Sequence, residues 1–192
     1  MRIAFEAMKF ARYVHRNQVR KYTGNPYADH LAEVAGIVGT VERADAALAV
    51  AWLHDCVEDC GIALDEIDDR FGTIVAIGVS GLSDMETGNR AERKQKSRDR
   101  LAACSGWIQT IKCADLISNT SSIVKHDPKF AVTYLEEKRL LLAVMTKADP
   151  RLRNMAMDMA HGLIGGVATL YKEVPGHRVL SGIKIIDCRG CK

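Results

Sequence analysis

The densest chemistry in the chain is the run Trp52-Leu53-His54-Asp55-Cys56-Val57-Glu58-Asp59. It ends a stretch, residues 44–57, that is nearly all apolar and reads as the most buried helix of a core. Side chains three and four positions apart share a helix face. An imidazole and three carboxylates therefore gather at one end of an element that belongs in the interior. Unpaired charge is costly to bury, and a bound cation is one form of compensation. A solvated helix end would explain a single His-Asp pair. It does not explain four polar groups in this order after an apolar run.

Two further donors lie elsewhere. His30 sits in Asn25-Pro26-Tyr27-Ala28-Asp29-His30. Asp115 sits in Ile111-Lys112-Cys113-Ala114-Asp115-Leu116-Ile117-Ser118-Asn119, an apolar helical segment where an acid is out of place unless it pairs, for instance with Lys112. Two histidines and two aspartates make a mixed nitrogen and oxygen donor set. Such a set suits a borderline divalent metal such as manganese, iron or zinc.

The elements that must position these groups are helical. Ile3, Ala7, Phe10, Ala11 and Val14 form one apolar stripe. Residues 29–41 predict a second helix with Leu31, Val34, Ala35 and Val38 inward. Residues 44–57 predict a third and 64–71 a short fourth, ended by Gly72. Residues 73–82 are β-branched enough for a strand, but their neighbours favour a helix. Residues 84–89 read as a polar loop. Helices are expected over 92–104, 107–126, 131–147 and 151–172, with turn signals at Asp127-Pro128 and Asp149-Pro150. The expectation is an all-α bundle: one domain over residues 1–172, with residues 173–192 as a C-terminal extension. Within that extension, 179–187 alternates weakly, and Cys188 and Cys191 form half of a zinc-type pair at most.

Composition narrows the function. The chain has 192 residues, 27 basic and 24 acidic, for a net charge of +3. That balance argues against a nucleic-acid partner, which calls for a basic face. The basic run from Arg90 to Arg100 also carries Glu92 and Asp99 and reads as a solvated helix face. No apolar stretch approaches the ~20 residues of a membrane span. The N-terminal segment lacks the apolar centre of a signal peptide, so a cytoplasmic protein with reduced thiols is expected. Self-association into a homo-oligomer is left open.

In order, His15-Arg16-Asn17-Gln18-Val19-Arg20-Lys21, the Pro26-to-His30 segment, the His54-to-Asp59 block, Phe71-Gly72, Arg90 to Lys94, Lys112 to Asn119 and Tyr134 resemble the HD-domain superfamily. Within it they are similar to the guanosine tetraphosphate hydrolases: the hydrolase half of the RelA/SpoT stringent-response enzymes, and small stand-alone forms such as the animal Mesh1 type. The resemblance spans roughly residues 4–150 and implies an all-helical, manganese-dependent phosphohydrolase acting on a nucleotide. It assigns His30, His54, Asp55 and Asp115 to the metal and Glu58 and Asp59 to catalysis. Arg20, Lys21, Lys94, Asn119 and Tyr134 would surround the nucleotide. Three positions depart from the common pattern: Leu31 for proline, Cys60 for threonine, and Leu-Ile-Ser-Asn-Thr after Asp115 for a more basic stretch. The resemblance implies release of the 3′ pyrophosphate from guanosine tetra- or pentaphosphate. Removal of the 2′ phosphate of NADPH, cleavage of plain nucleotides, or an inactive nucleotide-binding module are the alternatives.

Overall fold

Apolar side chains spaced three and four apart set the architecture. The computed structural model describes residues 2–162, and within them ten helices follow one another: α1 (Arg2–Val14), α2 (Tyr27–Gly39), α3 (Asp45–Leu53), α4 (Cys56–Cys60), α5 (Leu64–Phe71), α6 (Thr73–Leu82), α7 (Arg90–Ala103), α8 (Gly106–His126), α9 (Pro128–Val144) and α10 (Pro150–Ala160). The isolated bridge between Val19 and Pro26 closes the loop from α1 to α2.

Two helices organise the rest. In α3, Ala47, Ala49, Val50, Ala51 and Leu53 are buried, and the helix packs against α1, α2, α6 and α8. The small side chains of α3 face Ala7 and Ala11 of α1, which lets the two axes approach closely. The long helix α8 packs against α2, α3, α9 and α10 and buries polar Gln109, Thr110, Asp115, Ser118 and Thr120 along with its apolar residues. Gln109 is satisfied locally: its amide donates to Leu101 O at 2.8 Å and its oxygen accepts from Lys147 N at 2.8 Å.

Helix ends follow the sequence signals. Asn89 and Glu92 form a reciprocal capping box on α7. Asp127 and Asp149 cap the starts of α9 and α10, each followed by proline. Asp45 accepts from Ile3 N at 3.0 Å and Ala4 N at 3.2 Å, so a carboxylate on α3 caps α1. Gly72 separates α5 from α6 with a φ of +88°.

Several expectations need correction. The stretch 44–57 is not one helix. The His54 ring donates from Nδ1 to Ala51 O at 2.9 Å, taking an acceptor that a continuing helix would offer to the Asp55 amide. The chain turns at His54-Asp55 and restarts as α4. Residues 73–82 are helical, as their neighbours implied. Ile3 is exposed and lies outside the buried stripe of α1. The ninth helix ends at Val144 rather than at 147. The tenth ends at Ala160, where Gly162 takes a positive φ, rather than running to 172. The boundary at 172, the segment 179–187 and the Cys188/Cys191 pair lie outside the described residues.

Close packing has a testable weak point at Gly78, where α6 meets α3 and α8. A Cβ there would lie 2.6 Å from both Trp107 Cη2 and Val50 Cγ2. Gly78→Ala is expected to lower unfolding free energy by about 1–3 kcal/mol through overpacking, read as a lower urea midpoint at unchanged slope. An unchanged midpoint would show that the Trp107 ring can shift at no cost.

Candidate metal and active site

Four side chains from three parts of the chain converge at the centre of the bundle. His30 comes from α2, His54 and Asp55 from the turn between α3 and α4, and Asp115 from α8. His30 Nε2 lies 3.6 Å from Asp55 Oδ2 and 3.5 Å from Asp115 Oδ1. His54 Nε2 lies 3.0 Å from Asp55 Oδ2 and 3.9 Å from Asp115 Oδ1. One donor atom each from His30, His54 and Asp115 falls within a 4.8 Å span.

Both imidazoles are fixed from behind. His30 Nδ1 donates to Ser118 Oγ at 2.8 Å, and Ser118 Oγ donates onward to Glu33 Oε2 at 2.6 Å. His54 Nδ1 donates to a carbonyl, which can only accept. In each neutral ring the lone pair therefore sits on Nε2. Those two Nε2 atoms are buried and make no hydrogen bond of good geometry, despite the nearby carboxylates. Buried polar atoms are normally satisfied. Two inward-facing nitrogens with carboxylate oxygens beside them fit a divalent cation. The second nitrogen of each ring makes the orienting bond common to metal-bound histidines.

The carboxylates are held as firmly. Tyr27 Oη donates to Asp55 Oδ2 at 2.6 Å. Tyr27 stacks on buried His15, with ring centroids 5.0 Å apart. Asp115 divides its oxygens: Oδ2 pairs with Lys112 Nζ at 2.8 Å, while Oδ1 accepts from Asn119 Nδ2 at 2.6 Å and faces the histidines. The Lys112 pairing and a place at the metal are thus compatible.

The electrostatics agree. Burial opposes a charged His30, but Asp115 and Asp55 outweigh it and hold its pKa at about 9. His54 is raised in the same way, against its burial, by Asp55 and Asp115. Burial acts to raise both aspartates, yet Asp55 is held low by the two histidines and Asp115 by Lys112 and the histidines. The two rings and Lys112 favour the ionised form of the buried carboxylates. A divalent cation among the same atoms would supply that compensation in their place.

Glu58 and Asp59 lie one turn on, in α4, and face solvent. Glu58 Oε2 accepts from Asp84 N at 3.0 Å, and partial desolvation of the carboxylate raises its pKa although the residue as a whole is exposed. Asp59 Oδ2 accepts from Gln18 Nε2 at 2.8 Å, and Gln18 in turn accepts from His15 at 2.5 Å.

The residues expected around a nucleotide divide into groups. Arg20 and Asn119 adjoin the His/Asp cluster: Arg20 donates to Asn119 Oδ1 at 3.1 Å and to Ser118 Oγ at 3.3 Å, and Asn119 donates to Asp115. Lys94 pairs with Asp84 at 3.2 Å, in a network that also holds Ser97 and Arg100. Tyr134 is buried, its hydroxyl 3.4 Å from Thr120 Oγ. Lys21 is not brought to the cluster; its ammonium lies over the Tyr22 ring at 4.9 Å, and Tyr22 bonds Asp127. A hollow of about 650 Å³ elsewhere, lined by Leu64, Ala76, Ile77, Arg100 and Ile108 among others, contains none of the four clustered residues.

Sequence reasoning gave no role to Tyr27, Ser118, Glu33 or Asp84. Ser118 could have been suspected, because it lies three residues after Asp115 on the same helix face. Asp84 was read as part of a polar loop, and its contacts depend on tertiary packing.

Residues 7–106 match the family model of the HD domain, just over half of the chain, so the protein belongs to the HD-domain family. That match includes His30, His54, Asp55, Glu58 and Asp59 and stops short of Asp115. Within the family, the chain is 33% identical over 131 residues to the guanosine-3′,5′-bis(diphosphate) 3′-pyrophosphohydrolase MESH1 of Danio rerio, covering 66% of this chain and 72% of that protein. It is 30% identical over 135 residues to the GTP pyrophosphokinase rsh of Brucella melitensis, but spans only 18% of that longer protein. The fold matches that of a metazoan SpoT ortholog described as hydrolyzing ppGpp, with a TM-score of 0.76, 23% identity, and coverage of 85% of this chain and 96% of that one.

The support behind His30 is open to test. Ser118→Ala removes the acceptor of its Nδ1–H. Metal affinity, measured by chelator competition, is expected to fall about 10–100-fold. Unchanged affinity would show that Ser118 does not orient the ring.

Proposed function

We propose that this protein is a divalent-metal-dependent phosphohydrolase that releases pyrophosphate from the 3′ position of guanosine tetra- and pentaphosphate. The observation that carries the metal chemistry is the pair of buried, inward-facing Nε2 atoms of His30 and His54 beside Asp55 and Asp115. The substrate reading is supported by the named activity of the MESH1 relative, whose similarity extends over 72% of that protein's length. Manganese is our choice of metal, with iron and zinc compatible with the same donors. Free thiols at Cys56, Cys60, Cys104 and Cys113 support a cytoplasmic setting.

A bound divalent cation supplies an acidified water and a positive centre for phosphoryl oxygens. The chain's own groups do the rest. In the overall reaction a water oxygen bonds to the phosphorus attached to the ribose 3′ oxygen. The bond from that phosphorus to the 3′ oxygen breaks, the ribose oxygen gains a proton, and pyrophosphate leaves. Glu58, held by the Asp84 N–H beside the cluster, is a suitable proton acceptor, and partial desolvation makes it more basic than an ordinary carboxylate. Asp59, oriented by Gln18, is the second acid and would help align the water. Arg20 offers a guanidinium edge and Lys94 a point charge to the phosphates.

The test is product release by metal-loaded protein from guanosine tetraphosphate, NADPH and simple nucleoside phosphates, with a chelated control. Pyrophosphate from guanosine tetraphosphate is expected; turnover of NADPH alone would overturn the substrate. Asp55→Ala should lose metal and activity together. Glu58→Gln should keep metal and lose about 100-fold or more in kcat. Full rate in Glu58→Gln would remove Glu58 from catalysis.

A further inference from the structure

Beside the metal cluster, α7, α8 and α9 enclose a second polar space, lined by Asp84, Lys94, Lys112, Glu137, Lys138 and Leu141 among others. Its volume of about 10 Å³ admits one water-sized group. Most charges around it are matched. Lys94 pairs with Asp84 at 3.2 Å, Lys112 with Asp115 at 2.8 Å, and Glu137 with Arg90 at 2.7 Å.

Two lining cations form no ion pair among the described residues: Arg98, which hydrogen-bonds Gln95, and Lys138, whose ammonium lies over the Tyr134 ring, 4.8 Å from the centroid. A cation–π contact is worth only about 0.5–2 kcal/mol, and Asp115 and Asp84 favour the charge without contacting it. Burial, with Lys112 adding repulsion, pushes the Lys138 pKa down to about 8. An ammonium kept in such surroundings is costly unless an anion meets it.

The space adjoins the His/Asp cluster through two of its lining residues. Lys112, on one wall, holds the metal-facing Asp115. Asp84, on another, donates its backbone N–H to Glu58. A molecule bound at the neighbouring cluster could therefore extend an anionic group to Lys138. The space fits one oxygen, not a whole phosphate.

We propose that Lys138 contacts a phosphoryl oxygen of the substrate and, together with Lys94, favours nucleotides carrying adjacent phosphates. This rests on the reading of the site as a nucleotide polyphosphate hydrolase. Lys138 is a binding residue for the phosphate chain rather than a participant in bond cleavage.

The experiment pairs Lys138→Met, which keeps the stem and removes the charge, with Lys138→Arg. Two readouts are needed: steady-state kinetics on guanosine tetraphosphate, and calorimetric binding of inorganic pyrophosphate to the metal-loaded protein. Lys138→Met is expected to raise KM and the pyrophosphate Kd about 10–100-fold, the loss of one charge-assisted hydrogen bond, with kcat within about threefold. Lys138→Arg should recover most of both. Unchanged KM and Kd in Lys138→Met overturn the proposal. So does a fall in kcat with unchanged KM and a lowered melting temperature, which marks a structural role. Absence of pyrophosphate binding in the unsubstituted protein overturns it too. If that protein binds pyrophosphate through Lys138 yet leaves guanosine tetraphosphate intact, the subsite stands and the substrate assignment fails.

Discussion

Two carboxylates and two imidazoles share a few ångströms of protein interior, and their mutual compensation is the constraint on which the rest of the structure depends. A carboxylate in an apolar core is prohibitively expensive alone. Here Asp55 and Asp115 are tolerated because His30 and His54 face them and Lys112 secures the far oxygen of Asp115. The arrangement holds only if each ring presents Nε2. Ser118 and the Ala51 carbonyl enforce this from opposite sides. One acceptor comes from α8 and the other from the turn of α3 itself, so both helices must be in place for the site to exist.

The break after Leu53 follows from the same requirement. A continuous helix would use the Ala51 carbonyl for the Asp55 amide and would leave the His54 Nδ1–H without an acceptor. Turning there satisfies the ring and lets Asp55 reach Tyr27. The chain then restarts as α4, which carries Glu58 and Asp59 to the rim of the cluster. A local sacrifice of helix hydrogen bonding thus separates the buried metal-facing groups from the more exposed acids. Apolar packing of α3 on α1, α2 and α6 offsets that sacrifice.

Much of this was legible before any coordinates. Periodicity located the helices, and the polar residues at 54, 55, 58 and 59 after an apolar run marked the site because such residues are costly there. Asp115 stood out for the same reason. What stayed hidden depends on long-range contact. The turn at His54 results from a side chain competing with a backbone amide, and no hydrophobic pattern records that competition. Tyr27 and Ser118 are unremarkable as residue types; their value comes from facing Asp55 and His30 across the bundle. Lys21 shows what adjacency in sequence does not convey. It adjoins Arg20 in sequence, but the loop sends the two side chains apart, one to Asn119 and the other to Tyr22.

Asp84 joins the two halves of the site. Its backbone N–H holds Glu58, while its carboxylate gathers Lys94, Ser97 and Arg100 from α7. A carboxylate at the centre of a cationic group lowers the self-repulsion of the lysines and keeps them near one another. Burial alone would raise the Asp84 pKa, yet Lys112 and Lys94 hold it down at about 2, so it stays ionised throughout the neutral range. An anion arriving there would meet cations already assembled, with Asp84 as its competitor for their charge. The residue that positions the acid beside the metal cluster also gathers the cations that would receive the substrate. Glu58 at one end and the α7 cations at the other therefore depend on a single loop between α6 and α7.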